Sequence, residues 1–134
     1  MLAVHTDTIR LTVHVLAATI WVGGQMTLAG LVPTLRTAGP DVPRAAARAF
    51  NRIAWPAFAI LIITGVWNVA ASDKTGNLKF GLTLAAKLVV VALSGLSAFM
   101  HAKSRSRIGL AVFGAISALS AVLALFLGVL LGQA

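Results

Sequence analysis

Four long apolar runs dominate this sequence and limit what it can fold into. They cover residues 8–32, 53–71, 78–100 and 108–131. Each run is close to the roughly 20 residues that an α-helix needs to cross a bilayer. A soluble domain could not cover such runs with polar surface, because 59% of the 134 residues are hydrophobic and 10% are charged. The alternation typical of membrane β-strands is absent, so each run is predicted to be a helix.

These runs predict an all-α, polytopic membrane protein. We expect a single domain over residues 1–134, built as a four-transmembrane-helix bundle with short connections. The first run has no basic segment before it and is too long for the apolar core of a signal peptide. It is therefore expected to be a span like the other three.

The basic residues are concentrated in two connections and predict the orientation. The first connection carries Arg36, Arg44, Arg48 and Arg52, and the third carries Lys103, Arg105 and Arg107. Positive-inside reading places both connections in the cytoplasm and both termini on the outer side of the plasma membrane. The net charge of +8 is thus attributed to topology and to anionic lipid headgroups, with no nucleic-acid partner.

Polar residues within the runs predict a site. At 100° per residue, His14, Trp21 and Gln25 share one face of the first helix, and Arg10 lies near that face at the outer end. Ionisable residues at membrane depth are costly and usually face the protein interior. In the second helix Thr64 and Asn68 share a face, and the third helix contains Lys87.

Depth along the helices indicates which of these residues meet. His14 lies roughly 10 Å and Lys87 roughly 6 Å outward of the middle of its helix, at 1.5 Å per residue. Asn68 and Thr64 lie in the same outer half, so all four are expected around one pocket. His101 is predicted at the cytoplasmic interface, about 25 Å from His14 along the membrane normal. These two histidines therefore cannot both ligate one haem within a monomer.

Lys87 is expected to belong to this pocket and not to act as a structural anchor. No Asp or Glu lies in any of the four runs, so an internal salt bridge is excluded. A lysine at this depth must find an anion, a polar cavity or water, or lose its proton. A bound anionic group is one such partner, and Lys87 is the residue predicted to take part in any catalysis.

Three segments together resemble a known family. They are "HVLAATIWVGGQMTLAGLVPTLR", "FNRIAWPAFAILIITGVWN" and "LTLAAKLVVVALSGLSAFMHAKSR". Their order and spacing are similar to the copper-resistance D (CopD) family and to the related HemJ-type protoporphyrinogen oxidases. The resemblance covers residues 8–107, and the fourth helix is generic. In HemJ-like proteins, which bind haem b, a helix-1 His and a helix-3 Lys are thought important, and these match His14 and Lys87. The "WVGG" sequence is closer to the CopD branch.

The resemblance implies haem or copper, and the residues bear on that choice. Cu(I) prefers sulfur ligands with imidazole, but the chain has no Cys and only three Met. Haem needs an axial imidazole, an apolar slot and cations for its propionates. His14, the Gly23–Gly24 pair, Trp21, and Arg10 or Lys87 supply such groups. The leading hypothesis is a redox protein that binds haem b or a related tetrapyrrole, and it leaves open whether the protein is an oxidoreductase enzyme.

Two alternatives remain. The first is a copper-binding or copper-transport protein of the CopD type, with His14, Met26 and His5 as ligands. The second is a non-catalytic accessory subunit of a larger membrane complex, which the small size of the chain suggests. The fourth helix has a face of small residues suited to close helix packing, and its "GVLLG" end is compatible with a homodimer. The small residues are Gly114, Ser117, Ala121, Ala124 and Gly128.

Overall fold

The structure is a computed structural model that describes residues 4–74 and 76–133, which are helical apart from short connections. Helix α1 (Thr6–Ala18) continues through a π-helical turn (Thr19–Gly23) into α2 (Gly24–Ala38). Three further helices follow, namely α3 (Val42–Ala70), α4 (Leu78–Lys103) and α5 (Arg107–Gln133). No strand occurs among the described residues, which confirms the all-α prediction.

Four helical segments are long and apolar enough to cross a membrane. They are Thr6–Ala38, Val42–Ala70, Leu78–Lys103 and Arg107–Gln133. Many large apolar side chains point outward, and Ile63, Val89 and Leu119 are 66%, 68% and 71% exposed. Such surfaces suit hydrocarbon, where only the backbone needs internal hydrogen bonds. The chain is therefore built as a multi-pass membrane protein, while its orientation and the identity of the membrane stay predictions.

The helix in the first run is longer than the run itself. The run ends at residue 32, but the helix passes through Pro33 and ends at Ala38. Proline lacks an N–H, so the carbonyl of Ala29 loses its usual intrahelical donor. Membrane helices tolerate this loss because neighbouring groups can satisfy the carbonyl. An apolar run therefore marks the part of a helix that suits hydrocarbon, and it does not mark where the helix ends.

The second span likewise begins earlier than its apolar run. One uninterrupted helix starts at Val42, eleven residues before the predicted start at 53. Pro43 lies in its first turn, where its missing N–H costs no hydrogen bond, and Asp41 holds the N-cap position without a side-chain capping bond. The basic segment and the span are thus a single helix, because arginines at a membrane surface do not interrupt helical hydrogen bonding.

The described chain divides into two compact units, with the boundary between Ser72 and Asp73. In the first, α1, the π-helical turn and α2 pack against α3; we call it the N-terminal helix pair. In the second, α4 packs against α5; we call it the C-terminal helix pair. Whether residues 1–134 form one domain stays a prediction.

The C-terminal helix pair packs through small residues, as predicted for the fourth helix. Ser94 and Ser117 are 1% and 2% exposed, and each hydroxyl donates to the other residue's carbonyl oxygen at 3.0 and 3.1 Å. Ala121 is buried beside them. Small side chains allow the two backbones to come close enough for these bonds.

His101 takes part in the same packing. Its Nδ1–H donates to the carbonyl oxygen of Leu110 at 2.8 Å. A Cβ atom at Gly114 would lie 3.0 Å from Nδ1, so the ring needs the space that this glycine leaves. The residue predicted to lie at the interface is therefore also a link between α4 and α5.

Candidate functional site

His14 and Thr64 join α1 to α3 at the predicted site. The Nδ1 atom of His14 lies 2.7 Å from Thr64 Oγ1, and that hydroxyl lies 2.6 Å from the carbonyl oxygen of Ile60. A hydroxyl has one proton, and a carbonyl oxygen can only accept. Thr64 therefore donates to Ile60 and accepts from the Nδ1–H of His14.

This arrangement determines the tautomer of His14. When Nδ1 carries the proton of a neutral imidazole, the lone pair lies on Nε2. A metal-binding histidine is commonly oriented in this way, through a hydrogen bond from its second ring nitrogen. Thr64, which is 5% exposed, thus acts on His14 as an orienting group. The predicted closeness of His14 and Thr64 is confirmed.

Arg10 lies one helical turn before His14. It is buried, although an arginine at the end of a membrane span can extend its charged group into water. It is 9% exposed, its Nη1 contacts Asp7 Oδ1 at 3.0 Å, and its guanidinium lies 5.8 Å from the centroid of the Trp67 ring. Its Nε is buried and has no hydrogen-bond partner among the described residues. A buried donor without a partner costs about 1–3 kcal/mol.

Asn68 provides an acceptor of the same kind. It lies one turn after Thr64 on α3, and its Oδ1 is buried without a hydrogen-bond partner in the described part of the chain. Because Trp67 is its neighbour and contacts Arg10, Asn68 and Arg10 lie beyond the same side of the His14–Thr64 bond. The site therefore contains one donor and one acceptor that a polar ligand or water can satisfy.

Trp21 lies on the other side of this bond and packs against aromatic rings of α3. It is 4% exposed, and its ring centroid is 5.5 Å from that of Trp55 and 4.4 Å from that of Phe58. The ring is thus part of the contact with α3. The partner rings were not predicted, because helical periodicity identifies a face but not what packs on it.

The "WVGG" sequence forms part of a π-helical turn that the sequence analysis did not foresee. Single π-helical turns are often found at functional sites. Gln25 Nε2 donates to the carbonyl oxygen of Trp21 at 3.0 Å, so this predicted site residue supports the backbone of the turn. Gly24 lies against the Phe50 ring, which a Cβ atom would overlap, whereas the space beside Gly23 is open. Only the second glycine is required by close packing.

Lys87 belongs to the C-terminal helix pair. A Cβ atom at Gly128 would lie 3.0 Å from Lys87 Nζ, so the amine lies close to the α5 backbone. Gly128 was predicted only as a packing residue, and its contact with Lys87 had no signal in the sequence beyond the small-residue face. The meeting of Lys87 with His14 stays a prediction.

The described residues do not form a cluster of side chains that would bind copper. They contain no group of three or more His, Cys, Asp or Glu side chains placed to hold a metal ion. His5 is exposed before α1, and Met26 is 58% exposed on α2. The predicted set of His14, Met26 and His5 therefore stays a prediction.

The geometry offers an oriented imidazole, a buried donor and a buried acceptor within one helix pair, next to an aromatic contact. Such a set suits a ligand that coordinates imidazole and carries an oxygen-containing substituent. No protein-family model, curated protein or solved structure matches this chain.

Proposed function

We propose that this protein binds haem b, or a related tetrapyrrole, within the membrane and serves in electron transfer or oxidation chemistry. The observation that carries the proposal is the hydrogen bond between His14 and Thr64. It holds the ring in one orientation and places the proton of a neutral imidazole on Nδ1, and Nε2 is the atom through which such a ring coordinates iron. The resemblance of residues 8–107 to HemJ-like proteins supports the same reading, whereas the resemblance to the CopD branch supports the copper alternative.

The residues of the N-terminal helix pair suit such a group in two respects. His14 would supply the axial nitrogen, and the Arg10 Nε–H, buried without a partner among the described residues, would donate to a propionate. Asn68 Oδ1 can only accept, so it suits water or a protonated carboxyl and not an ionised one. When bound, haem supplies a one-electron redox centre.

The remaining residues act on the protein side of this chemistry. Thr64 holds the His14 ring in one orientation and one tautomer. Trp21, with Trp55 and Phe58, excludes water from one side of the site through close aromatic packing. Lys87 is proposed as a cation for an anionic substituent of the ligand.

The absorption spectrum tests the proposal. The full chain is purified from haem-replete cells, and its Soret band and haem content per protein are measured for the parent, His14→Ala and His5→Ala. We expect the parent and the exposed His5 control to retain haem and His14→Ala to lose at least nine-tenths of it. A parent protein without a Soret band that hemin cannot restore would contradict the proposal, and bound copper in its place would favour the alternative.

Lys87→Met tests the role of the lysine. Methionine suits the bilayer and leaves no buried charge, so we expect thermal stability in detergent to change little. Haem occupancy at limiting hemin is expected to fall about tenfold, since a charged hydrogen bond contributes roughly 1.5–3 kcal/mol. Lys79→Met is the control, because Lys79 is an exposed residue of α4 and the substitution removes the same charge. Full occupancy and activity in Lys87→Met reject the role, and collapse of the apo-protein indicates a structural lysine.

A further inference from the structure

A second feature of the N-terminal helix pair begins beside the His14–Thr64 bond, at Ile60, whose carbonyl oxygen accepts from Thr64. A groove of about 350 Å³ runs between α1 and α3. Its rims carry Leu16, Ile20, Ile53, Pro56 and Ile60, and among the described residues Arg52 is the one charged side chain that lines it. His14 and Thr64 do not line this groove, so the groove is formed by a different set of side chains from the proposed haem site.

The groove arises from the sizes of the residues at the helix contact. Ala17 and Ala57 line it and are each 3% exposed. Small side chains bring the two backbones together at this level, while the branched residues on either side stand outward. Leu16 and Ile53 remain 60% and 59% exposed in the whole chain. The groove is thus an open, apolar channel on the surface of the N-terminal helix pair.

The ends of the groove differ chemically. From Arg52 to Ile60 it extends about 12 Å along α3, at 1.5 Å per residue. One end has a guanidinium and the rest is hydrocarbon. Pro56 has no N–H, so the carbonyl of Arg52 also loses its usual intrahelical donor. This combination is complementary to an amphipathic molecule with an anionic head and an apolar tail.

Arg52 differs from the other arginines of α3 in its position. Arg44 and Arg48 are also exposed and are spaced by four on the same helix, but they do not line the groove. They lie about 12 and 6 Å further along the axis, in the direction away from the apolar channel. A phospholipid with an acyl chain in the groove would therefore have its phosphate group nearest to Arg52.

We propose that this groove binds one anionic phospholipid, with an acyl chain between α1 and α3 and the phosphate on the Arg52 guanidinium. Arginine suits phosphate because its planar donors form bidentate, charge-assisted hydrogen bonds. Basic pockets between membrane helices recognise anionic headgroups in this way. The site is distinct from the proposed haem site and does not depend on it.

Lipid binding to the full chain provides the test. The protein is delipidated in a neutral detergent and titrated with phosphatidylglycerol or with phosphatidylcholine of the same acyl chains, and bound lipids per protein are counted by native mass spectrometry. We expect one saturable phosphatidylglycerol site. Arg52→Gln should weaken it about fivefold, since one cation near a headgroup contributes roughly 1 kcal/mol. Arg48→Gln, which removes the same charge outside the groove, should change it less than twofold.

A second pair of variants tests the acyl-chain channel without changing charge. Ile53→Trp fills the groove and should lower binding of phosphatidylglycerol at least fivefold. Ile63→Trp, at an equally exposed apolar position of α3 outside the groove, should leave it unchanged. Equal effects of Arg52→Gln and Arg48→Gln, equal affinity for both lipids, or full binding by Ile53→Trp would each overturn the proposal. So would a protein dimer that Ile53→Trp abolishes. The haem spectrum is recorded on the same samples, so failure of either proposal is seen separately.

Discussion

The two helix pairs solve the same problem differently. Polar side chains between membrane helices need partners, and in the C-terminal pair Ser94 and Ser117 satisfy each other across the contact. In the N-terminal pair His14 and Thr64 do the same, but Arg10 Nε and Asn68 Oδ1 are left without partners in the described part of the chain. The first kind of contact serves assembly, and the second leaves groups that a ligand can use.

The difference follows from side-chain length. Serine keeps its hydroxyl close to the backbone, and glycine and alanine add little bulk, so α4 and α5 approach closely and the two serine hydroxyls donate to carbonyl oxygens of the other helix. Arginine, histidine and asparagine side chains extend further from the backbones of α1 and α3, where His14 bonds to Thr64 across the contact. Arg10 Nε and Asn68 Oδ1 have no hydrogen-bond partner among the described residues, which makes the N-terminal pair the better place for a cofactor.

The largest effect is expected from Thr64→Val, which keeps the side-chain shape and removes the acceptor for His14 Nδ1. Loss of such an orienting group typically weakens metal binding 10–100-fold. We therefore expect a similar loss of hemin affinity, measured by titration of the Soret band. Thr12→Val is the matched control on α1, since Thr12 is exposed and its hydroxyl bonds only to Thr8 O at 2.7 Å. Unchanged affinity in Thr64→Val would remove Thr64 from the site.

A smaller effect is expected in the C-terminal pair from Ser94→Ala. This change removes one of the two reciprocal bonds, and hydrogen bonds between membrane helices contribute about 0.6 kcal/mol on average, and up to about 1.7. The free energy of unfolding in detergent should fall by that amount, with no change in haem content. Ser120→Ala is the control, because Ser120 donates to carbonyl oxygens of its own helix at Ile116 and Ser117. Equal losses in both variants would show that the inter-helix bond is not what stabilises the pair.

The smallest effect on stability is expected from Asn68→Leu. Replacing an acceptor that has no partner with an apolar group of similar size should leave the apo-protein unchanged or stabilise it by up to about 1 kcal/mol. Unfolding of the haem-free protein in detergent measures this directly. Ser94→Ala should lower the free energy of unfolding, whereas Asn68→Leu should leave it unchanged or raise it. This difference separates the two helix pairs most directly. A loss above about 1 kcal/mol would mean that Asn68 has a stabilising partner in the apo-protein.

Much of the fold could be predicted because the bilayer imposes a length on apolar segments. All four predicted runs lie within helices, apart from residue 71, where the second run extends one residue beyond α3. The helix ends were wrong where polar sequence continued a helix, as at Pro33 to Ala38 and from Val42 to Arg52. Hydropathy reports where a helix lies in hydrocarbon, whereas backbone hydrogen bonding decides where it ends.

The sequence by itself determined which residues of the first span share a face, since that depends only on the 100° rotation per residue. It also determined that no carboxylate lies within the apolar runs, which leaves Lys87 to find another partner. Both conclusions concern a single helix or a simple count, and neither needs a second helix to be placed.

Which side chains bond to or lie next to each other was decided by the tertiary structure alone. It joined His14 to Thr64 and so determined the tautomer, it left Arg10 Nε and Asn68 Oδ1 without partners among the described residues, and it placed Arg52 at the end of an apolar groove. Hydrogen bonds form or fail over a few tenths of an ångström. Helical periodicity does not encode the register between two helices to that precision, because the register results from how all the side chains at the contact pack together.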